Sequence, residues 1–191
     1  MQVTLIRHGK TAGNLARRYT GVSDVPLCPE GREEAERARK DETLSTVYVS
    51  PLRRARETAE ILFPNAQQRI VQDLHEMDFG DFEGRTADEM CDDPAYRAWV
   101  DDLCRGACPN GESQADFFRR VTEAFVGTLQ TLDSDALFVV HGGVIMAIMA
   151  AFAEPKKGFY EWEAPNLGGY RATVRFTGSG LTLTDVHPVQ Y

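Results

Sequence analysis

Val3-Thr4-Leu5-Ile6-Arg7-His8-Gly9 runs from β-branched and apolar residues straight into an arginine, a histidine and a glycine. Val3 to Ile6 reads as a short buried strand, with the polar trio at its C-terminal end. The pattern returns at Ala136-Leu137-Phe138-Val139-Val140-His141-Gly142-Gly143. In parallel-type α/β sheets ligands bind at the carboxyl ends of strands. Two strands that each close on a histidine and a glycine therefore predict one shared pocket. A guanidinium beside an imidazole suits a phosphate ester: the planar fork of Arg7 matches phosphate oxygens, and the free ring nitrogen of His8 can attack phosphorus or move a proton. Gly9 lets the backbone approach an anion closely. A strand end with a solvated arginine and a satisfied histidine would give the same tripeptide, so the rest of the chain must decide.

Outward from these two runs, strands and helices alternate, which predicts an α/β fold. Pro29 to Arg39 reads as a charged helix with proline in its first turn. Thr46 to Val49 is a second strand. A helix opened by Pro51 runs to about Phe63 and is closed by Pro64. A short strand is expected at Arg69 to Val71. Ser113 and Asp116 form a capping box before a helix whose apolar face is Phe118, Val121, Phe125, Leu129 and Leu132. A helix from about Gly143 to Phe152 follows the second histidine. Tyr170 to Phe176 and Leu181 to Val186 alternate and are joined by Gly178-Ser179-Gly180, a hairpin signal. The expectation is a three-layer αβα sandwich around a mixed, mostly parallel sheet: one domain over 1–191. Residues 73–109 break the pattern. They are rich in acids, aromatics and glycine, and read as a cap of loops and short helices over the sheet edge.

The chain has 191 residues, long enough for a sizeable core, with 42% hydrophobic and 26% charged residues. Its net charge of −8 argues against a nucleic-acid partner, which needs a basic surface. It also requires any anion site to be made locally positive by arginines aimed into one cleft. Cys28, Cys91, Cys104 and Cys108 form no CxxC pair and no zinc-like array, so neither a metal nor another cofactor is expected. Arg7 interrupts the first apolar run, so no secretory signal is expected. The stretch from Ala136 to Phe152 is too short for a membrane helix and is broken by His-Gly-Gly. A cytoplasmic protein with reduced thiols is expected; nothing speaks to oligomeric state.

Chemistry concentrates in four places. Besides Arg7-His8-Gly9 and His141-Gly142-Gly143, these are Ser50-Pro51-Leu52-Arg53-Arg54-Ala55-Arg56-Glu57-Thr58-Ala59 and Glu76-Met77-Asp78-Phe79-Gly80-Asp81-Phe82-Glu83-Gly84. From spacing alone, any of Arg53, Arg54 and Arg56 can be the phosphate ligand, and the acids around Glu76 can be a solvated face. His75 borders Glu76, and His187 beside Pro188 reads as structural or solvated. Together, and in this order, the four motifs resemble the histidine phosphatase superfamily, the phosphoglycerate-mutase-like group. The resemblance spans nearly the whole chain.

That resemblance implies a metal-independent phosphomonoester hydrolase acting on a small phosphorylated metabolite through a phosphohistidine. It implies His8 as nucleophile, Arg7 and Arg54 as phosphate ligands, and His141 as a partner of the phosphate in the transition state. Glu76 would be the acid for the leaving alcohol and then the base for water; Asn14 and Gly142 would touch the phosphate. Tyr19-Thr20-Gly21, Asp24-Val25-Pro26-Leu27, the Glu76 run and Pro109-Asn110-Gly111-Glu112-Ser113 resemble the α-ribazole phosphatases of cobalamin biosynthesis. A phosphoglycerate mutase and a broad-specificity metabolite phosphatase are the alternatives. A non-catalytic phosphate-binding module is a third, disfavoured because both histidines, the arginines and Glu76 are present. Three departures stand out. Lys10 replaces the usual Glu or Gln and would add a cation near the phosphate. Val140 replaces a small or hydroxylated residue, which would remove a hydrogen bond behind His141. The helix from Pro29 is short.

Overall fold

The computed structural model describes residues 1–191 except Ser179. Its six strands are β1 (Gln2–Arg7), β2 (Thr46–Val49), β3 (Gln67–Ile70), β4 (Ala136–Val140), β5 (Gly168–Thr177) and β6 (Gly180–Gln190). They form one sheet in the order β3-β2-β4-β1-β5-β6. The first four are parallel, whereas β5 runs antiparallel to β1 and β6 antiparallel to β5.

The central strands are buried on both faces, which is why β4 reads as an unbroken apolar run. Alternation sorts their side chains into two cores. Val3, Leu5, Phe138 and Val140 pack with residues of α5 (Gln114–Leu129) and α6 (Gly142–Phe152). Ile6, Val47, Val49, Leu137 and Val139 pack with Ala35 of α2 (Pro29–Arg37) and with Ala55, Ala59 and Leu62 of α3 (Arg53–Leu62). The protein is thus an α/β sandwich of three layers around a mixed sheet. No helix among the described residues is long and apolar enough to cross a membrane.

Several boundaries differ from the sequence reading. Helix α2 stops at Arg37, because Ala38 turns extended. Helix α3 begins at Arg53, with the extended Leu52 as its N-cap, so Pro51 lies before the helix rather than opening it. Strand β3 begins at Gln67, where pairing with Thr46 outweighs two poor strand formers. The buried stripe of α5 is Phe117, Val121, Phe125 and Leu129; Phe118 is half-buried against Phe159, and Leu132 lies beyond the helix end. The strands flanking Gly178-Ser179-Gly180 pair up to Thr177 and Gly180, while Ser179 lies outside the described residues.

Residues 73–109 contain 3₁₀ turns at Gly80–Phe82 and Asp88–Met90 and the helix α4 (Pro94–Asp101), and no strand among the described residues. Their apolar side chains join the core of α5 and α6. The segment crosses the ends of β1 and β4 rather than the sheet edge, since Glu76 and Trp99 line one cleft with Arg7 and Gly142. A short helix α1 (Ala12–Leu15) after β1 carries Asn14 to that cleft.

Candidate active site

His8 is the first residue past β1 and is almost fully buried. Its N–H donates to the Val140 carbonyl (3.0 Å), tying the end of β1 to the end of β4. Its ring Nδ1 lies 2.7 Å from the Gly9 carbonyl. A carbonyl only accepts, so the proton sits on Nδ1 and the lone pair on Nε2. The Arg54 Nε–H donates to that Nε2 at 3.2 Å. Burial, and then the Arg54 and Arg7 charges, hold the imidazole well below its usual pKa of 6.5, against the Gly9 hydrogen bond that raises it. The ring is therefore neutral, with its Nε2 lone pair against a guanidinium.

Helix phase chooses among the three arginines. Arg54 is fully buried, while Arg53 and Arg56 face solvent and Arg53 pairs with Glu57 at 2.7 Å. Arg54 donates to the carbonyls of Ser23 (2.8 Å) and Gly21 (2.7 Å). Those carbonyls are held in turn by Glu83, whose carboxylate accepts from Gly21 N (3.0 Å), Val22 N (3.0 Å), Ser23 Oγ (2.6 Å) and Phe79 N (3.2 Å). Thr58, one turn along α3, accepts from Gly9 N (2.9 Å) and donates to the Arg54 carbonyl (2.7 Å). Arg7 donates to the Ala164 carbonyl (2.8 Å), and its Nε is buried without a partner among the described residues.

His141 is the N-cap of α6 and is fully buried, its ring in edge contact with that of His8 at 5.1 Å between centroids. Burial, then the Arg54 charge and the coupling to the His8 ring, lower its pKa well below 6.5. Its Nε2 lies 2.6 Å from Ser50 Oγ, and its Nδ1 is buried with no partner among the described residues. Val140 does not serve it: that side chain is in the core, and its carbonyl takes the His8 N–H.

Glu76 completes the ring of groups. Its Oε2 accepts from Gly143 N (2.9 Å), at the first turn of α6, and its Oε1 from Met77 N (3.1 Å). Burial raises its pKa above the usual 4.5, opposed by those two N–H groups and by Arg54 and Arg7. A Cβ at Gly143 would strike the Glu76 carboxylate, so a larger residue there must displace that side chain. Arg120 of α5 anchors the backbone that presents Glu76, donating to the carbonyls of Asp73 (2.7 Å) and His75 (3.1 Å) while it grips Glu112 through two nitrogens.

These groups surround the base of a cleft of about 410 Å³, which Arg7, Asn14, Glu76 and Gly142 line directly. His8, Arg54 and His141 are not among its lining residues; His8 and His141 directly adjoin the lining residues Arg7 and Gly142 in the chain. The Asn14 Oδ1 caps α1 by accepting from Thr11 N (3.0 Å), which leaves its amide N–H₂ free to donate toward the cleft. The lining also carries six aromatic side chains: Tyr19, Phe79, Trp99, Phe117, Phe159 and Tyr160. Lys10 is not part of this site. It pairs with Glu34 (2.6 Å) and Glu30 (3.3 Å), so the expected extra cation is neutralised at the surface of α2. His75 is half-buried on the Glu76 carbonyl (2.8 Å), and His187 is exposed on β6. No cluster of His, Cys, Asp and Glu among the described residues is arranged to hold a metal ion. Sequence reasoning gave no role to Ser50, Thr58 or Glu83. All three lie inside the motifs; Ser50 and Thr58 are buried polar residues and Glu83 is half-buried.

The sequence profile of the histidine phosphatase superfamily (branch 1) matches residues 3–186. An adenosylcobalamin/alpha-ribazole phosphatase of Escherichia coli (strain K12) is 30% identical over 196 residues, covering 94% of this chain and 96% of the relative. The crystal structure of the alpha-ribazole phosphatase from Shigella flexneri superposes with a TM-score of 0.80 at 28% identity, covering 96% and 94% of the two chains. A phosphoglycerate mutase structure from Thermus thermophilus gives 0.69 at 31% identity, covering 96% and 98%.

Proposed function

We propose, from the premise that this chain belongs to the histidine phosphatase superfamily (branch 1) and is a phosphatase, that it hydrolyses a nucleoside-like phosphomonoester through a phosphohistidine on His8. The contact of the two buried histidine rings at 5.1 Å, with Arg54 on the His8 Nε2, carries this reading. A phosphomonoester brings close to two negative charges, and Arg7, Arg54 and the start of α6 supply the compensating field.

In the first step the His8 Nε2 lone pair attacks phosphorus in line with the ester oxygen. The N–P bond forms, the P–O bond breaks, and the Glu76 carboxylic acid gives its proton to the departing alkoxide. In the second step the Glu76 carboxylate takes a proton from water as the water oxygen attacks phosphorus. The N–P bond breaks, and inorganic phosphate leaves with His8 restored. His141, Asn14 and the arginines hold the equatorial oxygens throughout. No metal or other cofactor takes part. A location in the cytoplasm suits reduced cysteines, of which all four are free.

The aromatic walls favour a substrate whose phosphate is carried by a flat heterocyclic body. α-Ribazole 5′-phosphate is the compound we name. A small carboxylated substrate such as 3-phosphoglycerate would ask for a second cation in the upper cleft. There the lining offers Arg18, already paired with Glu89 at 2.8 Å, and the carboxylate of Glu163.

Two measurements test the proposal. The acid and base stability of label on the rapidly quenched enzyme distinguishes carboxyl from histidine phosphorylation. We expect an acid-labile phosphoenzyme that His8→Ala abolishes together with turnover of an aryl phosphate; near-normal turnover in that variant would reject the nucleophile. Across a panel of phosphorylated metabolites, kcat/KM for α-ribazole 5′-phosphate is expected to exceed that for 3-phosphoglycerate by about 100-fold or more. Formation of 2-phosphoglycerate from the latter would favour a mutase instead.

A further inference from the structure

We propose that Ser50 is a positioning residue that fixes the ring tautomer of His141, so that His141 Nδ1 carries the proton and donates it to the phosphoryl oxygens on His8. The proposal rests on the reading of His8 as the residue that takes up the phosphoryl group.

Ser50 follows β2 and is fully buried, its N–H donating to the Val139 carbonyl at 3.1 Å. Its Oγ accepts from the Leu52 N–H (3.3 Å) and meets His141 Nε2 at 2.6 Å. That short contact admits two proton arrangements. If the imidazole Nε2–H donated to Oγ, the serine hydrogen would be buried with no acceptor, and His141 would turn a bare Nδ1 lone pair toward the phosphate. If the serine hydroxyl donates to Nε2, the Oγ still accepts from Leu52, every proton has a place, and Nδ1 becomes a donor. The Nδ1 atom is buried and has no partner among the described residues, as a donor reserved for a ligand would be. Burial also keeps the ring neutral, so it has a single proton to place.

The two histidines then share one tautomer but present opposite nitrogens. His8 spends its Nδ1–H on the Gly9 carbonyl and offers a lone pair; His141 spends its Nε2 lone pair on Ser50 and offers a proton. The backbone does for the nucleophile what Ser50 does for its neighbour.

Long-range ¹H–¹⁵N correlation of the imidazole rings at pH 7.5, with His141 assigned through the loss of its signals in His141→Gln, reads the tautomer directly. We expect a protonated Nδ1 and an unprotonated Nε2 in the unaltered protein. In Ser50→Ala the His141 signals are expected to move toward the Nε2–H form, with kcat down by about 10- to 100-fold and KM changed much less. Ser50→Thr, which keeps the hydroxyl, is expected to restore both. An Nε2–H tautomer in the unaltered protein would overturn the proposal, even if Ser50→Ala did not fold. So would a Ser50→Ala variant with unchanged tautomer and rate. An absent phosphohistidine with the Nδ1–H tautomer intact would instead indict the role of His8.

Discussion

Glu76 is held between opposing influences. Burial favours its neutral form, while two backbone N–H groups and two arginines favour the carboxylate. The balance lifts the group above an ordinary glutamate, the direction that the proposed acid role asks for. Glu76→Gln is expected to lower kcat/KM for an alkyl phosphate by about 100-fold or more, and for an aryl phosphate with a good leaving group by less than about tenfold. Equal losses on the two substrates would place the proton donor elsewhere. At this scale Arg7, His8 and His141 were legible because a strand end announces its polar residues. Arg54 was not separable from Arg53 and Arg56 by spacing. What singles it out is that its side of α3, shared with Thr58, turns toward His8. Ser50 and Glu83 stayed unread because each works through hydrogen bonds to backbone or to a distant ring, and such bonds leave no periodicity.

At the scale of elements, two junctions decide whether the residues meet. One is the first turn of α6, where Gly143 lies flush against Glu76. Gly143→Ala would raise helix propensity, yet its methyl must displace the carboxylate. We expect the same selective loss on poor leaving groups as in Glu76→Gln, with a Tm within a few degrees of the parent. The other junction is the loop 20–23, where Glu83 fastens the strap of carbonyls that holds Arg54. Glu83→Gln replaces an acceptor-only group that serves four donors, so we expect a stability loss of about 1–3 kcal/mol in urea and a raised KM for phosphate esters. An unchanged KM would mean that Arg54 keeps its place without the strap. Residues 73–109 escaped detailed reading for the same physical reason. Their turns are set by side chain-to-backbone bonds such as Gly80 N to Asp78 Oδ1 (2.9 Å) rather than by a repeating apolar face.

For the molecule as a whole, the fold was legible because the two-sided burial of β1 and β4 leaves apolar runs, and the order of strands and helices follows. Element ends were less so: β3 is an edge strand written in glutamines, and its place is set by β2. The buried histidines also make a global prediction. Both have folded-state pKa values well below the unfolded value of 6.5. Between those values the unfolded chain binds more protons, so stability is present in full above pH 6.5 and is lost as the pH falls through that window. Glu76, raised above 4.5, acts in the opposite sense, but it is one group against two. Urea midpoints are therefore expected to drop from pH 7.5 to pH 5, and the drop is expected to shrink in a His8→Gln/His141→Gln double variant. A parallel drop in that variant would assign the effect to other groups. Finally, the cleft is assembled from two sources. The ends of β1 and β4, with Arg54 of α3 and Glu76, carry the proposed machinery for phosphorus, whereas Tyr19, Phe79, Trp99, Phe117 and residues 159–160 line the rest of the cleft. On that reading, reaction and selectivity are set by different segments of the chain. A lineage, or an engineer, can re-tailor the aromatic collar for a new metabolite and leave the reaction beneath it untouched.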